Sequence, residues 1–286
     1  MRDVAVIVGY ALRESLRRKV FLIVLLLSCA FLSLYGVGAW RAFRDTESFV
    51  SPDQIGLDPD VVTGATVLGL AMFATLFLGT VLAIFLTLGV VRGDAERGLL
   101  QPLVVRPVGR STLLVARFLA AAAVCAAYVA VLFAAETVIT GATGGWWPDH
   151  AVLAGGELAM AVAVVVALSL LGSVFLSATA NGIAVFMVFG GGLVAGLLAQ
   201  IGRAIGSDTL RSIGRWASLV LPFEALYQDS LHVITSGTSG FNRFALELGP
   251  FGGSVGGGAA VRSWSVVYVV LVGAAALAAF GRRDLP

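Results

Sequence analysis

Long apolar runs alternate with shorter polar segments along this chain. Six of them approach or exceed the ~20 residues that a helix needs to cross the hydrocarbon core of a bilayer. They cover residues 20–40, 63–91, 113–140, 158–178, 183–201 and 263–280. The pattern predicts an all-α fold, namely a polytopic membrane protein in which residues 1–286 form a single transmembrane domain with six spanning helices.

The first 19 residues predict an amphipathic helix that lies in the membrane interface. Its apolar residues recur at steps of three and four, and basic residues gather at its end. The apolar set is Val4, Ile7, Val8, Ala11, Leu12 and Leu16. A solvated leader that only orients the next span is the alternative. The apolar stretch that follows is longer than a signal-peptide core and lacks a clean cleavage site, which favours a retained span.

The segment at residues 202–262 predicts two short amphipathic helices between spans five and six. Apolar positions recur at helical spacing between Thr209 and Ile234, and Pro222 interrupts the pattern. We expect these helices to dip into the outer leaflet or to pack over the bundle, the alternative being an ordinary loop. In span five, Gly192 and Gly196 form a GxxxG pair, which permits close helix approach in lipid.

The number and distribution of charged residues predict the orientation of the protein in the membrane and limit its possible partners. The chain is 58% hydrophobic and 13% charged, and its net charge of +2 says little about partners. We expect no nucleic-acid partner, because the basic residues are concentrated by topology rather than spread over a nucleic-acid-binding face. With both termini in the cytoplasm, 12 of the 19 basic residues lie in inner segments, as the positive-inside rule requires. We therefore predict a multi-pass protein of the plasma (inner) membrane, of bacterial type.

The residues needed for several kinds of catalysis are missing. A phosphate-binding loop ends in Gly-Lys-Ser/Thr, and the only lysine, Lys19, stands between Arg18 and Val20. The two histidines are far apart, and both cysteines fall inside apolar runs. The sequence therefore predicts no ATPase, no metal site and no cofactor in this chain.

Glu136 is the deepest ionisable residue in the predicted spans, about one turn from the outer end of span three. A charge in the bilayer centre costs roughly 2.5–3.5 kcal/mol on insertion scales, so this side chain should face protein or a water-filled cavity. We consider it a candidate substrate-path or gate residue. The alternative is an interfacial carboxylate that snorkels to water.

The Arg-rich segment between spans two and three carries the most informative pattern. It resembles the cytoplasmic coupling region of type-2 ATP-binding-cassette (ABC) exporter permeases, in which a Glu and a nearby Gly precede a Leu-rich helix and a Pro-Val-x-Arg stretch. The matching positions here are Glu96, Gly98, Leu99, Leu100, Pro107, Val108, Arg110 and Arg117. Thr179 and Asn181 between spans four and five are also similar to the family.

The resemblance implies a membrane subunit that exports a substrate with energy from a separate cytoplasmic ABC ATPase, which would bind the ATP and Mg. It also implies a second permease, here a second copy of this chain, within the lipid bilayer. The coupling segment is residues 92–112. Its predicted ATPase-coupling residues are Glu96, Arg97, Gly98, Leu99, Leu100 and Leu103.

Independently of the resemblance, a short helix with Glu96 and Arg97 on one side and leucines on the other suits docking in a groove of a partner. A solvated loop that only fixes topology is the alternative. Two other functions stay open. One is a non-transporting anchor that holds an ATPase for work on an extracytoplasmic protein bound at residues 202–262, and the other is an ion-coupled carrier, for which one intramembrane Glu is little support.

Overall fold

The computed structural model of this protein describes residues 19–49, 58–88, 110–239, 242, 246 and 256–282. Within this part of the chain there is no strand, and eight α-helices make up the fold. They are α1 (Lys19–Phe49), α2 (Pro59–Thr87), α3 (Arg110–Gly144), α4 (Ala151–Phe175), α5 (Ala178–Ala204), α6 (Asp208–Val220), α7 (Pro222–Val233) and α8 (Gly258–Gly281). All except α6 and α7 are long and apolar enough to cross a bilayer, which confirms the predicted all-α protein with six spans.

Two predicted features lie outside the described residues. One is the interfacial helix at residues 1–19, of which only Lys19 is described, as the first residue of α1. The other is the coupling segment at residues 92–112, of which only residues 110–112 are described. The candidate residues from Glu96 to Leu103 therefore also lie outside the described residues. Both stay predictions from the sequence.

Several helices extend beyond the apolar runs that predict them. Helix α1 continues to Phe49, so residues 41–49, expected as a loop, are helical. Polar side chains do not end a helix by themselves, and this stretch contains no Gly or Pro. Helix α3 likewise continues to Gly144, where the ring of Phe43 packs against its last turn. The α4–α5 connection was expected at residues 179–182 but consists of Leu176 and Ser177.

Helix α4 is the central element of the bundle and packs against α2, α3, α5, α7 and α8. Helices α2 and α4 are the most buried spans, whereas α1 and α8 present mostly exposed apolar side chains. Leu68, Met72 and Leu76 of α2 are fully buried in the same apolar cluster as Val162 and Val165 of α4. Lipid is as apolar as these side chains, so close packing rather than removal from water holds such helices together.

Helices α6 and α7 lie at one end of the bundle, called here the α6–α7 end. The loop between α3 and α4 lies there too, because the backbone N–H of Asp149 donates to the carbonyl of Ile234, just after α7, over 3.1 Å. Trp264 of α8 donates its indole N–H to the carbonyl of Leu219 in α6. The end of α2, the start of α3 and the α4–α5 turn lie at the opposite end.

Short polar contacts connect the spans inside the bundle. Two hydroxyl pairs join α1 to α3, about two helical turns apart along α1. They are Ser28 with Tyr128, at 2.5 Å, and Tyr35 with Thr140, at 2.6 Å. In lipid, a hydroxyl group has no water to bond to and needs a hydrogen-bond partner in the protein. Such interhelical hydrogen bonds stabilise the folded protein by ~0.6 kcal/mol on average. These contacts help to fix the position of α1, which is one of the two least buried spans.

Candidate functional site

The coupling segment predicted from the sequence joins two helices that lie side by side. Helix α2 ends at Thr87 and α3 begins at Arg110, both at the end of the bundle opposite α6 and α7. Helices α2 and α3 pack against each other along the bundle. A displacement of the segment between them would therefore move two helix ends that are attached to the rest of the bundle.

A buried polar cluster holds the last residue of α2. It consists of Thr87, Ser169 of α4 and Asn181 of α5, and is called here the Thr87 cluster. The hydroxyl groups of Thr87 and Ser169 are 2.6 Å apart, and the Asn181 side-chain amide donates to the carbonyl of Ser169 over 2.9 Å. All three residues are fully buried or nearly so. Three spans are thus tied together at the point where the chain leaves α2 for the predicted coupling segment.

Asn181 lies in this cluster because α4 leaves room for it. Its side-chain oxygen occupies the space next to Gly172 that a Cβ atom would fill. The residue stands in the first turn of α5, directly after the α4–α5 connection. Its similarity to the family pattern was visible in the sequence, whereas its contacts with Ser169 were not.

Glu136 is completely buried between α2 and α3. Thr75 of α2 donates its hydroxyl to Oε1 of Glu136, and Oε2 has no hydrogen-bond partner in the described part of the chain. One turn further along α3, Thr140 donates to the carbonyl of Glu136 and is in turn paired with Tyr35. Glu136 therefore links α2 to α3 in the protein interior, two turns from the end of its helix. Its role as a gate stays a prediction.

A second group of charges joins α4, α7 and α8 at the α6–α7 end. Arg262 of α8 places Nε 3.2 Å from Oε1 of Glu157 in α4 and 3.6 Å from Oδ2 of Asp229 in α7. Both acids are almost fully buried, whereas 38% of the Arg262 side chain is exposed. Asp229 also accepts the backbone N–H of Gly258, which fixes the start of α8. We call Arg262, Glu157 and Asp229 the Arg262 cluster.

Helix α7 is held against α5 by the two glycines of the GxxxG pair. A Cβ atom at Gly192 would collide with the ring of Phe223, and one at Gly196 would collide with the carboxyl group of Glu224. The pair therefore does bring helices close, and the partner is α7 of the same chain. Phe223 also stacks on Phe189 of α5, with ring centroids 5.4 Å apart.

The Arg262 cluster is the functional-site candidate that sequence reasoning missed. Glu157 falls at the edge of a predicted span, and Asp229 and Arg262 fall in a segment interpreted as extramembrane. Residues so far apart in the chain show no common spacing, so only the fold could bring them together. The amphipathic pattern around Pro222 indicated that α7 exists, but it did not show which residues its polar side chains contact.

Comparison with known protein families places these features in context. The model of the family described as ABC-2 family transporter protein matches residues 5–285, nearly the whole chain. The chain belongs to this family. It is accordingly a permease subunit of an ABC transporter, a multi-pass membrane component that is not itself the ATPase, and the ABC-2 assignment implies an ABC ATPase as partner. A comparison with curated protein sequences found no match.

Proposed function

We propose that this ABC-2 permease is the membrane half of an exporter. It would assemble with a second copy of itself and with cytoplasmic ATPase chains that bind ATP and Mg. In this orientation both termini and the α2–α3 connection lie in the cytoplasm of a bacterial cell, and α6 and α7 lie on the outer side of the plasma membrane. The excess of basic residues in the inner segments supports the orientation.

The ATPase would dock on the segment that contains Glu96, Gly98 and Leu103. Closure of the ATPase dimer would push on that segment and shift α2 and α3 as rigid bodies. The Thr87 cluster is the observation that supports this route, because it links the end of α2 to α4 and α5 through buried hydrogen bonds. A push at the α2–α3 connection would then reach three spans at once.

Co-purification and ATP hydrolysis test this coupling role without knowledge of the substrate. The tagged chain is isolated in mild detergent with the ATPase that accompanies it, and the Glu96→Gln and Gly98→Ala variants are compared with it. We expect both variants to reach the membrane in normal amounts. ATPase recovery or permease-stimulated hydrolysis should fall at least about tenfold, equivalent to about 1.4 kcal/mol of docking free energy.

Asp94→Asn provides the matched control, because it removes an acid from the same segment two positions away. It should retain ATPase recovery and stimulation. Full stimulation in the Glu96 and Gly98 variants would contradict docking at this segment. An ATPase that binds normally but acts only on an extracytoplasmic protein, without solute flux in vesicles, would replace the exporter with an anchor subunit.

A further inference from the structure

A polar cavity of about 500 Å³ lies between α5, α6 and α7. Most of its polar lining comes from three arginines, two acids and one amide. These are Arg203, Asp208, Arg211, Arg215, Glu224 and Gln228. None of them belongs to the Arg262 cluster, to the Thr87 cluster or to the predicted coupling segment, so the cavity is a separate feature of the α6–α7 end.

Positive charge exceeds negative charge in this cavity. Arg211 pairs with Asp208 through exposed side chains 3.5 Å apart, whereas Arg215 has no ion-pair partner among the residues that the structure describes. Glu224 is buried against Gly196, and this burial raises its pKa, opposed by its hydrogen bond with Gln228 and by the charge of Arg203. This carboxyl group thus carries its negative charge less readily than that of an exposed glutamate. A ligand with negative charge would balance the arginines.

The position of the cavity relative to the membrane follows from the two faces of α6. Arg211, Arg215 and Ser218 line the cavity on one face. Ile213, Trp216 and Val220 occupy the other face and are exposed, Trp216 to 68%. A helix with one apolar and one cationic face lies in the membrane interface, with the apolar face toward the acyl chains. The arginines are then at the level of lipid headgroups.

The arginines also select the kind of anion that the cavity suits. Arg211 and Arg215 are four residues apart, so both lie on the face of α6 that lines the cavity. Guanidinium groups match the geometry of phosphate oxygens, which they bind through two parallel hydrogen bonds. The lining therefore suits a phosphate group.

We propose that this cavity binds the phosphate headgroup of an anionic phospholipid, such as phosphatidylglycerol. The phosphate lies between Arg211 and Arg215. Bound lipid would hold α6 at the membrane surface beside α5. The site requires no ATPase and no transported substrate.

Native mass spectrometry of the purified full-length chain tests this assignment. The protein is mixed in detergent with equal amounts of phosphatidylglycerol and phosphatidylcholine of matched acyl chains, and the lipid adducts are counted. We expect preferential retention of phosphatidylglycerol by the unmodified chain. Each arginine near a charged headgroup contributes about 1 kcal/mol, so the preference should fall about fivefold in Arg215→Gln and about 25-fold in Arg211→Gln/Arg215→Gln.

Arg41→Gln/Arg44→Gln is the matched control, because it removes two exposed arginines from α1 at the same end of the bundle. It should keep the preference of the unmodified chain. An equal fall in both double variants would overturn the site, as would equal retention of the two lipids by the unmodified chain. Retention of inorganic phosphate to the same extent as phosphatidylglycerol would overturn the lipid assignment in favour of a soluble anion.

Discussion

The hydroxyl oxygen of Thr87 lies 2.6 Å from that of Ser169, which joins the last residue of α2 to the last two turns of α4. Thr87 also donates within its own helix, to the carbonyl of Ala83 at 2.8 Å, so it contacts both helices. Because α2 leads directly into the segment where we expect the ATPase to dock, this contact lies on a direct mechanical route from that segment to α4.

Replacing Thr87 by valine should weaken both stability and coupling. The change keeps the side-chain volume but removes the hydroxyl pair, and the loss should be about 0.6–1.7 kcal/mol, the range measured for interhelical polar contacts in a membrane. Thr66→Val is the control, since among the described residues the Thr66 hydroxyl bonds only to Val62 of its own helix. Denaturation in a detergent titration measures the loss. An equal loss of stability in both variants would show that the hydroxyl contact between α2 and α4 makes no specific contribution to stability.

Removing the cation of the Arg262 cluster should destabilise the α6–α7 end. Breaking a fully buried ion pair costs ~3–5 kcal/mol, and the partial exposure of Arg262 reduces our expectation for Arg262→Gln to about 2 kcal/mol. Adding Glu157→Gln to that variant should restore part of the lost stability, because the double variant contains one fewer buried carboxylate without a cation.

Arg44→Gln is the control for the Arg262 experiment. Its guanidinium is exposed and lies over the Trp40 ring at 5.2 Å, so its removal should change stability by well under about 1 kcal/mol. Thermal denaturation followed by tryptophan fluorescence compares the variants. Additive effects of Arg262→Gln and Glu157→Gln would mean that the two side chains do not interact in the folded protein.

Alanine at Gly192 should destabilise the contact between α5 and α7. The added Cβ would meet the Phe223 ring, and overpacking of this kind costs about 1–3 kcal/mol. Gly191→Ala offers a neighbouring control, because nothing lies within 4 Å of a Cβ atom at Gly191. That variant should be unchanged or stabilised by up to about 1 kcal/mol through helix propensity. A destabilised Gly191 variant would point to an unseen partner on that face instead.

Glu224 should make the stability of the protein depend on pH. Burial raises its pKa, while Gln228 and Arg203 lower it. The folded chain therefore holds this proton more tightly than the unfolded chain. The resulting stabilisation is complete below the ordinary carboxyl pKa of ~4.3 and is lost as pH rises through the raised value.

The Glu224→Gln variant should remove that part of the pH dependence. Denaturation midpoints measured at several pH values should decline with rising pH in the unmodified chain and remain flatter in the variant. Asp208→Asn, in which an exposed acid is neutralised, should follow the unmodified chain. Parallel curves for Glu224→Gln and the unmodified chain would exclude Glu224 as the source.

The features that the sequence predicts correctly are those with a local physical cause. Each span is a long apolar run, and the backbone in lipid is restricted to helices or closed barrels. Pro222 separates α6 from α7 because proline lacks the N–H that an α-helix interior requires and is tolerated in the first helical turn, where it begins α7. Helix ends were less predictable, since polar residues such as those at 41–49 continue a helix beyond the membrane.

The side-chain partners could not be read from the chain because they depend on tertiary position. Gly192 and Gly196 form a GxxxG pair whose partner helix cannot be identified from spacing, and that partner is α7. Arg262 meets Glu157 and Asp229 only after α4, α7 and α8 have packed together. The sequence singled out Glu136 as the deepest ionisable residue of the predicted spans. The hydrogen bond that Thr75 donates to it depends on how α2 and α3 pack, which the sequence does not show.

The close packing of α2 against α4 restricts where a transported molecule can travel. Leu68, Met72 and Leu76 occupy the centre of the described bundle with no exposed surface, and Gly79 sits directly against Val162. A solute that crossed there would have to separate two helices that the Thr87 cluster holds together. We therefore expect a transported molecule to pass along the outer flank of this subunit, where the surrounding lipid or the proposed second permease forms the other wall.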